Sequence, residues 1–200
     1  KAAFITGLAV VIVPVLAVVW LKRKPTPGSW LGVAAATIGL GLLSLNADLI
    51  PTYGDFLIFL CAISFALHIA GVSRYAGQHD SVALAIIQIG TAGLLAGVLH
   101  LVDKGTLGPG VANVGWWSGP SNVVLATLIT GVLATAAAFL LQNVLQPYTT
   151  PTHTALIFSA EPVWGAIFAY LLAGELLTPR GYMGAALILA GMILAELPIG

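Results

Sequence analysis

The chain has 200 residues, 59% of them hydrophobic and 7% charged, with seven Lys and Arg balanced by seven Asp and Glu, and a mean hydropathy of +1.03. A water-facing domain carries about 25% charged residues, so a soluble fold is excluded. The scattered, balanced charge also excludes a nucleic-acid footprint, which needs basic residues clustered on one face. The single cysteine, Cys61, excludes a disulfide framework and a multi-cysteine metal site.

The apolar residues fall in blocks of roughly 17 to 25, long enough to cross about 30 Å of hydrocarbon. They predict an all-α fold: a polytopic membrane bundle of seven transmembrane helices. The first span covers about Ala2 to Leu21 and is closed by Lys22-Arg23-Lys24-Pro25. The second, about Trp30 to Leu45, is short and made of small residues. The third runs from about Asp55 to Tyr75 and the fourth from Ser81 to about Leu101. The segment from Val102 to Pro120 holds Asp103, Lys104, five glycines and two prolines, and reads as the longest loop. The fifth span runs from Ser121 to about Val144, the sixth from Thr152 to about Ala173, and the seventh from Gly181 to about Leu197.

Lys22, Arg23 and Lys24 form the one dense basic cluster, close to a helix end. There the positive-inside rule has most force and places the first loop in the cytoplasm. Alternation then puts Arg74, His79, Asp80, His153 and the C-terminus in the cytoplasm. Asp48, Asp55, Asp103, Lys104, Glu175 and Arg180 fall outside. Trp20, Trp30, Trp116, Trp117, Tyr53, Tyr75, Tyr148 and Tyr182 lie near predicted ends, as interfacial anchors do.

Sliding the sequence on itself by 152 residues lays Ala3 to Leu45 on Ala155 to Leu197 without a gap. Thr26/Thr178, Pro27/Pro179, Gly32/Gly184 and Gly39/Gly191 coincide, fixing both a loop and a packing face. The sixth span comes five after the first, an odd number, so the two copies cross the membrane in opposite senses. Inverted repeats of this kind build many secondary transporters. They divide the chain into residues 1–53, the last two helices of a first repeat, and 54–200, a complete five-helix second repeat. Three further helices are expected before Lys1, giving ten in all.

The runs AAFITGLAVVIVPVLA (Ala2 to Ala17), WLGVAAATIGLGLLSL (Trp30 to Leu45), GDFLIFLCAISFALHI (Gly54 to Ile69), ATAAAFLLQ (Ala134 to Gln142) and ALIFSAEPVWGAIFAYLLAGELLTPRGYMGAALILAG (Ala155 to Gly191) resemble the EamA-type domain of the drug/metabolite transporter superfamily. The resemblance covers nearly the whole chain. It implies a ten-helix inverted-repeat transporter, the seven spans matching helices four to ten. It also implies a cavity lined by the first, third, fifth and sixth spans, and export of amino acids and related metabolites across the plasma or bacterial inner membrane.

Polar residues at bilayer depth are expensive and usually face protein or water. Glu161, about nine residues into the sixth span, could bind a substrate ammonium or a coupling proton, or stay protonated against a neighbouring helix. Pro162 frees the carbonyl at Phe158 and bends that helix; Pro14, one turn further along the aligned repeat, does the same in the first span. Paired bent helices point to a central site. Trp164 could stack on a cationic or aromatic ligand or pack in lipid.

In the third span Cys61, Ser64 and His68 share a face. His68 could meet a substrate carboxylate or bond a neighbouring carbonyl. The fifth span presents Thr127, Gly131, Thr135, Ala138 and Gln142 as a small, polar stripe, serving a pathway or close packing. Thr6 is a pathway candidate in the first span. Gln88 and Thr91 suit interhelical hydrogen bonding. Gly93 with Gly97, Ala35 with Gly39, and Ala186 with Ala190 read as packing faces.

No catalytic constellation, nucleotide loop or metal motif emerges. The chain reads as a secondary transporter, not an enzyme, with no cofactor and no metal. Its expected partners are a small-molecule substrate, the lipid bilayer and a second chain covering the face left by the expected helices. The alternative is a non-transporting membrane scaffold or receptor.

Overall fold

In the computed structural model the described residues are 1–45, 52–102 and 121–197, with only the backbone described at 100–102 and 121–124. Asp48, Asp103, Lys104, Trp116 and Trp117 lie outside them. In chain order the helices are α1 (Ala2–Gly7), α2 (Ala9–Val19), α3 (Pro27–Ser44), α4 (Tyr53–Tyr75), α5 (Ser81–Val102), α6 (Ser121–Leu128), a π-helical stretch (Ile129–Ala137), α7 (Ala138–Leu145), α8 (Pro151–Ser159), α9 (Glu161–Ala173) and α10 (Pro179–Glu196). Among the described residues the fold is all-helical, and six stretches are long and apolar enough to cross a membrane. Pro179–Glu196, the seventh predicted span, is not among those six; it forms an 18-residue helix.

Three helices begin with the same chemistry. Thr26, Thr150 and Thr178 are extended N-caps whose hydroxyls accept the backbone N–H of Ser29, His153 and Gly181 at 3.1 to 3.2 Å. A proline follows each, in the first helical position, where no N–H is needed. At the far end of α9, Gly174 takes the left-handed conformation (φ 70°) that closes helices with a residue lacking Cβ.

The chain divides into two units, residues 1–74 with 148–200, and 75–147. In the first, α3 and α10 run antiparallel in close backbone contact. A Cβ on Gly32 would lie 2.4 Å from the Gly191 carbonyl oxygen and one on Gly39 2.5 Å from that of Gly184; the reverse distances are both 2.6 Å. Gly32 aligns with Gly184 and Gly39 with Gly191 in the repeat, so each contact is the other's image under exchange of the copies. The close face therefore uses Gly32, Gly39, Gly184 and Gly191, while Ala186, expected on it, is exposed. Val13, Ala36, Leu40, Ile69, Leu156 and Ile188 fill the core between these helices, α2, α4 and α8.

In the second unit α5 meets α7 through a reciprocal amide pair. Gln88 Nε2 donates to Asn143 Oδ1 at 3.3 Å and Asn143 Nδ2 to Gln88 Oε1 at 3.0 Å. Asn143 is fully buried, as an amide in an apolar bundle can be once both partners are paired. Gly93 and Gly97 have no described atom within 4 Å of a Cβ built on them, so the packing expected at that pair is not seen among the described residues.

Candidate functional site

Both long helices of the repeat are interrupted, and at the same aligned position. In the first copy Leu8 separates α1 from α2; its N–H reaches the Phe4 and Ile5 carbonyls at 3.1 and 3.2 Å. In the second copy Ala160 separates α8 from α9, and its N–H reaches the Ile157 carbonyl at 3.1 Å. Pro162 follows as the second residue of α9 and, having no N–H, cannot make the ordinary α-helical bond to the Phe158 carbonyl, which accepts a backbone N–H of the cap instead.

The expectation for Pro14 is corrected. It lies inside α2, which continues through it; the interruption falls six residues earlier. Gly7, a poor helix former, abuts Leu40, whose Cδ1 would be 2.7 Å from a Cβ there. Close approach to α3, not the missing N–H of a proline, marks the break.

An open cavity of about 340 Å³ lies at these two breaks. Its lining includes Ala9 and Val10 from the start of α2, Glu161 and Pro162 from the start of α9, and Phe65, Phe158 and Ser159. Glu161 is its single charged lining residue among those described; Ala9 occupies the equivalent place in the other copy. The rest of the wall is mostly apolar. Glu161 itself is not covered by protein.

Of the residues expected at a site, Thr6, Glu161 and Pro162 line this cavity. The Thr6 hydroxyl donates to the Ala2 carbonyl at 3.2 Å. His68 is half-buried and stands behind the wall: its ring stacks on Phe65 with centroids 6.3 Å apart, and Phe65 meets Phe158 edge-on at 5.3 Å. Ser64 is exposed, its hydroxyl given to the Leu60 carbonyl of its own helix at 2.9 Å. Trp164 is 58% exposed and does not line the cavity; from Glu161 the wall continues through Gly165 at the next i+4 position.

Gln142 and Thr135 belong to the second unit. Gln142 Nε2 donates to Gln146 Oε1 at 2.8 Å, and the Thr135 hydroxyl to the Thr130 carbonyl five residues back at 2.9 Å. The π-helical turn between Ile129 and Ala137 is wider than an α-turn, so residues three and four apart no longer stack. The continuous polar stripe expected there is thus broken.

The sequence reading missed Phe65, Phe158 and Ser159. Phe65 lies one turn before His68 and Ser159 two residues before Glu161, but apolar residues and a small hydroxyl give no signal without the break that turns them inward.

A second polar cluster ties three helix ends together at the opposite end of α8. His153 Nδ1 lies 3.1 Å from Glu196 Oε1, and His153 Nε2 lies 3.3 Å from Ser29 Oγ, which is 3.0 Å from Thr26 Oγ1. His153 and Glu196, each near a helix end, are thus paired.

Residues 52–197 match the EamA-like transporter family. The chain belongs to that family. An uncharacterized transporter from Archaeoglobus fulgidus is 32% identical over 203 aligned residues, covering 100% of this chain and 61% of that protein. The threonine/homoserine exporter RhtA of Escherichia coli (strain K12) is 26% identical over 190 residues, 93% of this chain and 60% of that protein. The chain thus spans about three-fifths of the length of these curated relatives. The EamA-like match and the apolar helices make it an integral membrane protein of a transporter family. The match begins at Thr52, so the repeat image in α1 to α3 precedes it.

Proposed function

We propose that this chain forms part of a secondary transporter that exports small metabolites bearing a positively charged nitrogen, amino acids among them, across the plasma or bacterial inner membrane by alternating access. The observation that carries this reading is Glu161. One carboxylate lines an otherwise largely apolar cavity, at the junction where a membrane-spanning helix breaks. A solute cation or a proton is what such a group attracts, and burial of either against it excludes water.

Three observations support it. Both breaks fall at one repeat position, as expected where inverted halves meet around a midplane site. The start of α2, at Ala9 and Val10, adds a second helix beginning, the end of a helix dipole that favours a solute's carboxylate. The match to RhtA, a threonine/homoserine exporter, agrees with a zwitterionic solute.

The test is counterflow with the full-length protein in proteoliposomes, using a panel of labelled amino acids, amines and organic acids. Amines or amino acids should exchange, and Glu161→Gln should lower the flux by about two orders of magnitude, the effect of removing a paired charge worth about 3 kcal/mol. Exchange of organic acids alone, or a Glu161→Gln protein with the parent's rates, would overturn the proposal.

A further inference from the structure

Glu161 lines the cavity at a point where the helix stops one residue before it. In a continuous α-helix the Ala160 N–H would bond to the Leu156 carbonyl. Here it bonds to the Ile157 carbonyl instead, at 3.1 Å, which deprives the Leu156 carbonyl of its backbone donor. Leu156 is 1% exposed, and in hydrocarbon an unpaired carbonyl has no water to turn to. The donor it finds is the Ser159 hydroxyl, at 2.6 Å, on a side chain that is itself buried.

We infer that Ser159 is a positioning residue for Glu161: its hydroxyl replaces the Ala160 N–H on the Leu156 carbonyl and so holds open the break that sets the carboxylate against the cavity. This deepens the transport reading and rests on it for the importance of Glu161, but not for the geometry.

Two comparisons within the molecule single out Ser159. The hydroxyls of Thr6, Thr37, Ser64 and Thr154 bond carbonyls four residues back, the ordinary pattern of a helical Ser or Thr. Ser159 instead reaches three residues back, to a carbonyl whose backbone donor has turned to another acceptor. In the first copy the residue aligned with Ser159 is Gly7, and there Leu8 keeps the Phe4 carbonyl, at 3.1 Å, while also reaching Ile5. The Phe4 carbonyl, the counterpart of that of Leu156, thus keeps its donor, the position aligned with Ser159 carries no hydroxyl, and the residue aligned with Glu161 is Ala9. The hydroxyl and the carboxylate occur together in one copy and are missing together from the other.

The probe is dicyclohexylcarbodiimide, an apolar reagent that adds to carboxyl groups in the membrane, applied to the full-length protein across a pH series and read by mass spectrometry at Glu161 with Glu196 as internal reference. Ser159→Ala should move the pH midpoint of labelling at Glu161 by about half a unit or more, since the carboxylate's surroundings change, and leave Glu196 unmoved. Ser159→Thr, which keeps the hydroxyl, should restore the parent profile. Ser159→Cys keeps the volume but donates weakly, and should shift the midpoint in the same direction as Ser159→Ala; it decides the matter if the alanine variant does not fold.

Parent midpoints at Glu161 in both Ser159→Ala and Ser159→Cys would overturn the positioning role, whatever Glu161→Gln does to flux. Shifted labelling in a protein whose flux is indifferent to Glu161→Gln would support the positioning role and overturn the transport reading alone.

Discussion

A methyl group on Gly39 would have to occupy space 2.5 Å from the Gly184 carbonyl oxygen and 2.8 Å from Ile188. Backbone cannot give way as a side-chain tip can, so α3 and α10 would have to separate. Gly39→Ala should therefore destabilise the protein by about 1 to 3 kcal/mol, seen as a lower melting temperature in detergent. Gly90→Ala is the matched control: a Cβ there meets nothing within 4 Å, so the added helix propensity, up to about 1 kcal/mol, should leave the melting temperature unchanged or raise it. The repeat alignment made the Gly32, Gly39, Gly184 and Gly191 contacts legible in the sequence, because two glycines at one spacing in both copies specify a face and its partner. The Gly93 and Gly97 spacing did not, since small residues permit close approach without supplying a helix to approach.

At the level of elements, helix ends were easier to read than helix interiors. Thr-Pro pairs mark where α3 and α10 begin, because a hydroxyl acceptor followed by a residue without an N–H suits only a helix start. The interruptions at Leu8 and Ala160 and the π-turn around Thr135 leave hydropathy unchanged, so no composition signal reports them; even Pro162 misses its break by two residues, and Pro14 marks none. The α5 to α7 pairing was partly legible, since Gln88 was expected to bond across helices, but its partner was not. Removing that partner should be costly. Asn143→Leu leaves the Gln88 amide unpaired and should destabilise by about 1 to 3 kcal/mol. Combining it with Gln88→Leu should recover part of the loss, with a coupling of about 0.6 to 1.7 kcal/mol as found between membrane helices. A double-mutant cycle in detergent unfolding checks this, and strictly additive losses would show that the two amides do not depend on each other.

Across the first unit, polar groups sort to two ends, which makes the expected sidedness testable. At one end lie Arg23 and Lys24, lining the same cleft as His153 and Glu196, with the Arg74 guanidinium 5.9 Å from the Trp20 ring centre. At the other, Lys1 Nζ meets Asp55 Oδ2 at 2.5 Å and Arg180 Nη2 reaches the Gly41 carbonyl at 3.5 Å. His153 and Lys1 each stand two residues before the aligned repeat begins, so the copies place their leading polar residue at opposite ends, as inversion requires. The basic cluster at Lys22 to Lys24 should hold the first end in the cytoplasm. In a Cys61→Ser background, Glu175→Cys should react with a membrane-impermeant maleimide on intact cells, whereas Lys24→Cys and Tyr148→Cys should react only after permeabilisation. Tyr148 is 87% exposed and lies two residues before the cap of α8, so access by the reagent is not limited by burial. Labelling of Lys24→Cys and Glu175→Cys from the same side would contradict the antiparallel repeat itself. A clean reversal would keep the repeat and overturn only the sidedness, because pairing of Gly32 with Gly191 sets the relative direction of the helices while the expected sidedness rests on three lysine and arginine side chains.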